Sequence, residues 1–263
     1  MPPDINKSFY DFVPENGNIR FGLVAIKNIG DQVAKAVIEE RMRGGEFKNI
    51  EDFLIRVNHK DLNKKSLESF IKSGALDSLK IERGQALQNI DELLKFNSFL
   101  RKNGNLLNNS LFGNAAIPAN SLKLNPVAPA AMAEKLAWEK ELIGIYLSGH
   151  PLSPYKKHIE SLKVNPVKEV KAAQKEGVLV KVAGLITKIV RILTKKNQPM
   201  LFAQIEDIAG DSIEIVVFSE VLKKTENIWR EGQPIAVKGK TSPRNGEQKI
   251  IADAAIILKN NEG

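Results

Sequence analysis

The sequence predicts a multidomain α + β chain, with a helical domain first and a five-stranded β-barrel last. Two changes of pattern along its 263 residues carry that expectation. Through residues 1–103 the chain reads as helical, with apolar residues such as Val33, Val37 and Ile38 at three-to-four spacing. After Gly177 they alternate, as in Val178, Val180 and Val182, which is the pattern of strands. Between the two lies a stretch, residues 104–130, dominated by Asn, Ala and Pro and broken by Gly104, Gly113, Pro118, Pro126 and Pro129. That is linker composition.

Composition bounds the class. Hydrophobic residues make up 43% and charged residues 27%, which is ordinary for a globular chain and argues against global disorder. No apolar run approaches the roughly 18 residues of a membrane span. The start, Met1-Pro2-Pro3-Asp4, lacks the layout of a signal peptide. With no cysteine, disulfide scaffolds, thiolate zinc sites and cysteine nucleophiles are excluded. These features together lead us to expect a cytoplasmic protein. The net charge of +8 suits a polyanionic partner, yet the excess is spread thinly, without a basic block or tail.

Residues 131–176 form a helical connector. Leu136, Leu142, Ile143 and Tyr146 keep helical spacing, and Ser153-Pro154 reads as a cap and first-turn proline opening a helix to about Lys163. Within residues 177–259, strands are expected from Val178 towards Leu193, Met200 to Ile205, Ile213 to Phe218, Pro234 to Lys240 and Gln248 to Leu258. The polar runs Lys195–Gln198, Asp207–Asp211 and Pro243–Gly246 read as turns, and Ser219–Asn227 as a short helix. Three strands, a helix and two strands is the element order of an OB-fold barrel, although a split β-sandwich would give the same string.

No catalytic centre is legible. His59, His150 and His158 lack a second ligand type at metal-binding spacing, and neither a glycine-rich phosphate loop nor a nucleophile elbow is present. Glu206 and Asp207 are adjacent at a strand end and face opposite sides, so Asp207 is expected to serve a turn. The strongest local signal is Leu23–Arg41, LVAIKNIGDQVAKAVIEER. It reads as an apolar helix ending at Ile26, a turn at Lys27-Asn28-Ile29-Gly30, and a second helix opening on Asp31. Asn28 and Gly30 tolerate left-handed backbone, Ile29 can plug the gap between helices, and Lys27 and Lys35 supply charge. In such a helix-hairpin-helix, N–H groups at the start of the second helix can hold a phosphate without reading sequence. An ordinary hairpin that binds nothing would show the same residues. A looser copy follows at Asn63–Asp77, with Gly74 at a helix end and Asp77 as the next cap, where simple packing is an equal reading. In the linker, Leu111-Phe112 is an apolar pair in a polar stretch, suited to a pocket on another protein or to its own domain.

Several phrases, read in order, are similar to one family. They are PPDIN (2–6), IRFGLVAIKNIG (19–30), LNKKSLESFIKSGALDSL (62–79), SLFG (110–113), EKELIGIYLSGHPL (139–152) and VAGLITKI (182–189). The chain resembles, over essentially its whole length, the C-terminal portion of bacterial DNA polymerase III alpha subunits. That resemblance implies a fragment of a longer polypeptide, a DNA-directed DNA polymerase and hence a nucleotidyltransferase, whose catalytic segments and expected Mg²⁺ lie elsewhere. It implies no catalytic residue, metal or cofactor in this fragment. It further implies a tandem helix-hairpin-helix domain (1–103) holding duplex DNA, and a clamp-binding peptide at Asn108, Ser110, Leu111 and Phe112, with Asn108 in place of the usual glutamine. The OB domain (177–259) is then expected near single-stranded template, gripping it weakly through Lys188, Arg191, Lys195, Lys196, Phe202 and Arg244. Partners implied are the sliding clamp and other replicative holoenzyme subunits, with no membrane. Without the resemblance, two readings stay open: a free-standing structure-specific DNA-binding adaptor of repair, and a protein-interaction module.

Overall fold

A computed structural model describes residues 1–108, 122–194, 196–244 and 246–260, with backbone alone over 102–108. The chain divides into two compact units, Met1–Gly149 and His150–Gly263. The segment expected as a single connector, 131–176, is therefore shared between them. Among the described residues, no helix is long and apolar enough to cross a membrane.

The first unit opens with a feature the helical reading of 1–103 does not contain. Strands β1 (Val13–Glu15) and β2 (Asn18–Arg20) form an antiparallel hairpin. Its turn is Asn16-Gly17, both with positive φ, which is the two-residue turn whose twist matches paired strands. Helices follow: α1 (Asp31–Gly44), α2 (Ile50–Arg56), α3 (Lys64–Lys72), α4 (Arg83–Gln88), α5 (Ile90–Asn108) and α6 (Met132–Ile143). Helix α5 runs past residue 103, the expected end of the domain. Asn63 starts α3 by accepting from the Ser66 N–H, while the Ser66 hydroxyl accepts from the Asn63 N–H, a reciprocal cap. The helices bury one apolar core containing Leu23, Ile26, Val37, Phe53, Phe70 and Leu93.

A charged cluster lies in the same unit. Arg83 is 6% exposed and Glu139, on α6, 1% exposed. Their side chains pair at 2.9 Å, and Arg83 also grips Asp77 at 3.0 and 2.7 Å. Glu139 accepts from the N–H groups of Leu147 and Ser148 at 2.8 and 2.9 Å and from the Ser148 hydroxyl. Asp77 therefore does not cap the next helix. It opens a single 3-10 turn, Asp77–Leu79, and α4 is capped by Glu82 instead. Gly74 has φ +79°, and a Cβ there would collide with the Arg83 guanidinium.

In the second unit, α7 (Lys156–Leu162) and α8 (Val167–Ala173) precede the barrel of β3 (Leu179–Leu193), β4 (Pro199–Glu206), β5 (Ser212–Val217), β6 (Pro234–Arg244) and β7 (Glu247–Ile257). The sheet closes in the order β3-β4-β5-β7-β6, with β5 and β7 parallel and the other pairs antiparallel. Closure decides for the OB-type barrel against a split sandwich. The expected helix after β5 is shorter: α9 (Ser219–Lys224) gives way to a 3-10 turn, Glu226–Ile228. Strand β6 runs on to Arg244, so Pro243 and Arg244 belong to the strand. Trp229, 1% exposed, sits in the core and donates its indole N–H to Thr225. Asp207 serves a turn as expected: it accepts from the Ala209 and Asp211 N–H groups, and also from that of Val167 at the start of α8.

Burial works against the charged form of Glu139. Hydrogen bonds from the Ser148 hydroxyl and N–H, the Leu147 N–H and Arg83 outweigh it, and the carboxyl titrates below the usual glutamate value. A depressed carboxyl contributes stability above its unfolded pKa of about 4.3 and loses it as pH falls through the folded value. Glu139→Ala, which takes one of its two carboxylates from a buried guanidinium and leaves it Asp77, is expected to cost about 2–3 kcal/mol in urea unfolding at neutral pH. The deficit should shrink as the medium is acidified below about pH 4. An equal deficit at both pH values would place the stabilisation elsewhere.

Candidate nucleic-acid interface

Two surfaces, one on each unit, present groups suited to a phosphate chain. The first is the turn at Lys27–Gly30. Before it stands only a 3-10 turn, Leu23–Ala25, and not the apolar helix expected to end at Ile26. Ile29 is 7% exposed and plugs the gap beneath the turn. Asn28 has φ 70°, in the left-handed region, and its amide donates to the Ser69 hydroxyl at 3.1 Å, tying the turn to α3. The Lys27 N–H donates to the Leu142 carbonyl at 2.9 Å.

Gly30 departs from expectation. Its φ of −84° and ψ of 161° are ordinary extended backbone, and a Cβ there would meet nothing within 4 Å. The turn itself does not require glycine. What the missing Cβ leaves is bare backbone at the amino end of the 14-residue α1, where no side chain caps the first-turn N–H groups. Such an end attracts anions. Lys27 and Lys35 are exposed beside it. Tyr10 donates its hydroxyl to Asp31, and this bond, with burial and the carboxylate charge, pushes its phenol up. Lys35 lies 5.7 Å from the Tyr10 ring centre. The looser second copy differs, because Ser73, Gly74, Ala75 and Leu76 are all buried and offer no open backbone.

The second surface is the outward face of the barrel. Leu201, Ala203 and Ile205 point into the core, so Met200, Phe202 and Gln204 point out. Register then sets Val190, Phe202, Val216 and Ile251 side by side across β3, β4, β5 and β7. The next row holds Lys188, Gln204, Glu214 and Lys249, the last two paired at 2.6 Å. Lys240 lies beside Ile251 on β6, and Ser242 and Arg244 continue its face. At one end of this face stands the β3–β4 loop with exposed Lys196, and at the other the β6–β7 hairpin with exposed Arg244.

Of the expected barrel residues, Lys188, Phe202 and Arg244 share this face. Arg191 does not. It pairs with inward-facing Leu201, and its guanidinium donates to the Trp229 carbonyl at 3.3 Å. Lys195 lies outside the described residues, as do Ser110, Leu111 and Phe112, and Asn108 is described only as the last backbone position of α5. Val190, Met200, Val216, Ile251, Lys240 and Lys249 were not singled out from sequence. Strand parity counted from Leu201 would have found Met200, while the others need the register. Phe202 is partly buried and Phe218 is 46% exposed, so aromatic rings for stacking are few. Among the described residues, no group of three or more His, Asp or Glu is placed to hold a metal ion.

Residues 1–86 match the family described as a helix-hairpin-helix motif, and residues 180–258 the one described as an OB-fold nucleic acid binding domain. DNA polymerase III subunit alpha of Borreliella burgdorferi is 38% identical over 98% of this chain, in a match that takes in 23% of that relative. The subunit of Thermus aquaticus is 32% identical over 98% of the chain and 21% of its own length. That of Bacillus subtilis is 31% identical over 98% and 23%. The chain thus spans less than a quarter of each of these relatives. Over nearly its whole length the chain is homologous to bacterial DNA polymerase III alpha subunits, and its two matched regions are a helix-hairpin-helix region and an OB-fold barrel.

Proposed function

We propose that the chain is a non-catalytic DNA-holding portion of a replicative polymerase alpha subunit, acting in the cytoplasm. Polymerisation, and the magnesium it uses, would belong to the longer parent. The observation that carries this reading is the bare amino end of α1 at Gly30, where a Cβ would meet nothing within 4 Å. It suits a phosphate of duplex DNA, with Lys27 and Lys35 adding charge. The outward barrel face suits a single strand: a base stacks on Phe202 against Val190 and Val216, and Lys188, Lys196, Lys240 and Arg244 attract the backbone. We assign Asn108, Ser110, Leu111 and Phe112 to a sliding clamp, because the resemblance to the polymerase family implies a clamp-binding peptide at these positions and Leu111-Phe112 is an apolar pair in a polar stretch. Other subunits of the replicative assembly are partners of the parent.

Three outcomes are expected. Gly30→Val suits the extended backbone but stands a branched side chain in the path of a phosphate. Duplex affinity should fall about tenfold, equally for all sequences, with the fold retained and only a small loss of melting temperature because valine is a poorer cap than glycine. Unchanged affinity by fluorescence anisotropy would remove the turn from the interface. Phe202→Ala should weaken oligo-dT binding by about 1–3 kcal/mol, one stacked base, and leave duplex binding intact. Leu111→Ala with Phe112→Ala should abolish capture by the cognate clamp, since each anchor contributes roughly 1.5–3 kcal/mol on burial. Retained capture in a surface-plasmon assay would sink the clamp assignment.

A further inference from the structure

We propose that the barrel carries a second binding site, for an acidic peptide, in a sector different from the Phe202 face. Here the end of α7 and the irregular segment that follows it lie against β6 and β7 and leave a recess of about 130 Å³. Leu162, Val164 and Ile256 wall it. Its floor is small because Ala236 and Ala254 stand where strands usually carry branched or aromatic residues. An engineered apolar cavity of about 150 Å³ accepts a benzene molecule, so this recess has room for one phenylalanine ring or leucine side chain.

The rim selects the charge of the occupant. Lys181 and Lys238 both line the recess and sit directly opposite each other on β3 and β6. Like charges in that position destabilise a strand pair. Among the described residues no carboxylate pairs with either ammonium, and Lys181 reaches only the Leu162 carbonyl, at 3.5 Å. An anion placed between them would relieve the repulsion. Apart from these two lysines the lining is aliphatic, with no ring on which a nucleobase could stack and no polar side chain to read its edge. An apolar side chain flanked by carboxylates satisfies both halves of the site, and a nucleic acid satisfies only one. The occupant is therefore an acidic peptide segment of another protein, anchored by one large apolar side chain.

The test uses the full chain and a fluorescein-labelled peptide, Ser-Asp-Asp-Phe-Asp-Asp-Ser, read by anisotropy. Saturable binding is expected, and replacing the peptide's Phe by Ala should weaken it about tenfold or more. Ala254→Ile, a branched residue at an exposed strand position that fills the recess, should have a similar effect, as should Lys181→Glu with Lys238→Glu. Circular dichroism melts report whether each variant keeps its fold, and oligo-dT affinity should be unaffected by Ala254→Ile. Absence of binding to the unmodified chain would overturn the proposal. So would binding that survives Ala254→Ile, or displacement of the peptide by oligo-dT.

Discussion

The first unit depends on the buried pair of Arg83 and Glu139. Two charges taken from water are tolerable only when every donor and acceptor finds a partner. Here the guanidinium divides itself between Asp77 and Glu139, while Glu139 also collects two backbone N–H groups and a hydroxyl. The consequence is positional. Two segments distant in sequence, 77–83 and 139–148, meet at one point, and Gly74 must be glycine for the guanidinium to fit there. Helix α6, held there by Glu139, ends near Leu142, whose carbonyl receives the Lys27 N–H. The exposed turn that presents the amino end of α1 is thereby hung from the same helix as the buried carboxylate.

In the second unit a long strand does comparable work. β3 pairs with β6 along its first half and with β4 along its second, the change marked by a bulge between Ile186 and Lys188. Close approaches allow the sheet to curl shut: a Cβ on Gly184 would press on the Glu206 carbonyl, and one on Gly239 would strike that of Ile251. Because β3 serves two partners, its outward surface falls in two sectors. One carries the row through Val190 and Phe202. The other, at Ala183 and Ala236, is packed by Leu152, Tyr155 and Ile159, and the recess beneath Leu162 opens beside it.

Much of this was legible in the residues. The switch from helical to alternating spacing located both fold types, and polar turn residues placed the strand ends within a few positions. Asp207 was readable as a turn residue because a short carboxylate can accept from N–H groups just ahead of it. Ile29 was readable as a plug because an apolar residue between Asn28 and Gly30 has nowhere else to go. The Asn16-Gly17 turn was equally readable but was submerged in a domain whose dominant period is helical. The length of β6 was underread, since Pro243 looks like a turn residue and yet sits near the end of the strand.

What the sequence by itself determined is local: which stretches wind, which extend, and where the chain must turn. These follow from spacing and from the steric limits of single residues. What only the tertiary structure decided is which side chains meet. Gly30 and Asn28 looked alike as left-handed candidates, but only Asn28 adopts that backbone, in a turn tied to Ser69. Lys188 and Arg191 looked alike as cations on one strand, yet strand parity and the bulge send Arg191 to Trp229 and leave Lys188 on the open face. Asp77 looked like a cap until Arg83 claimed it. In each case the deciding partner lies far along the chain or across a strand register, and no local rule carries that information.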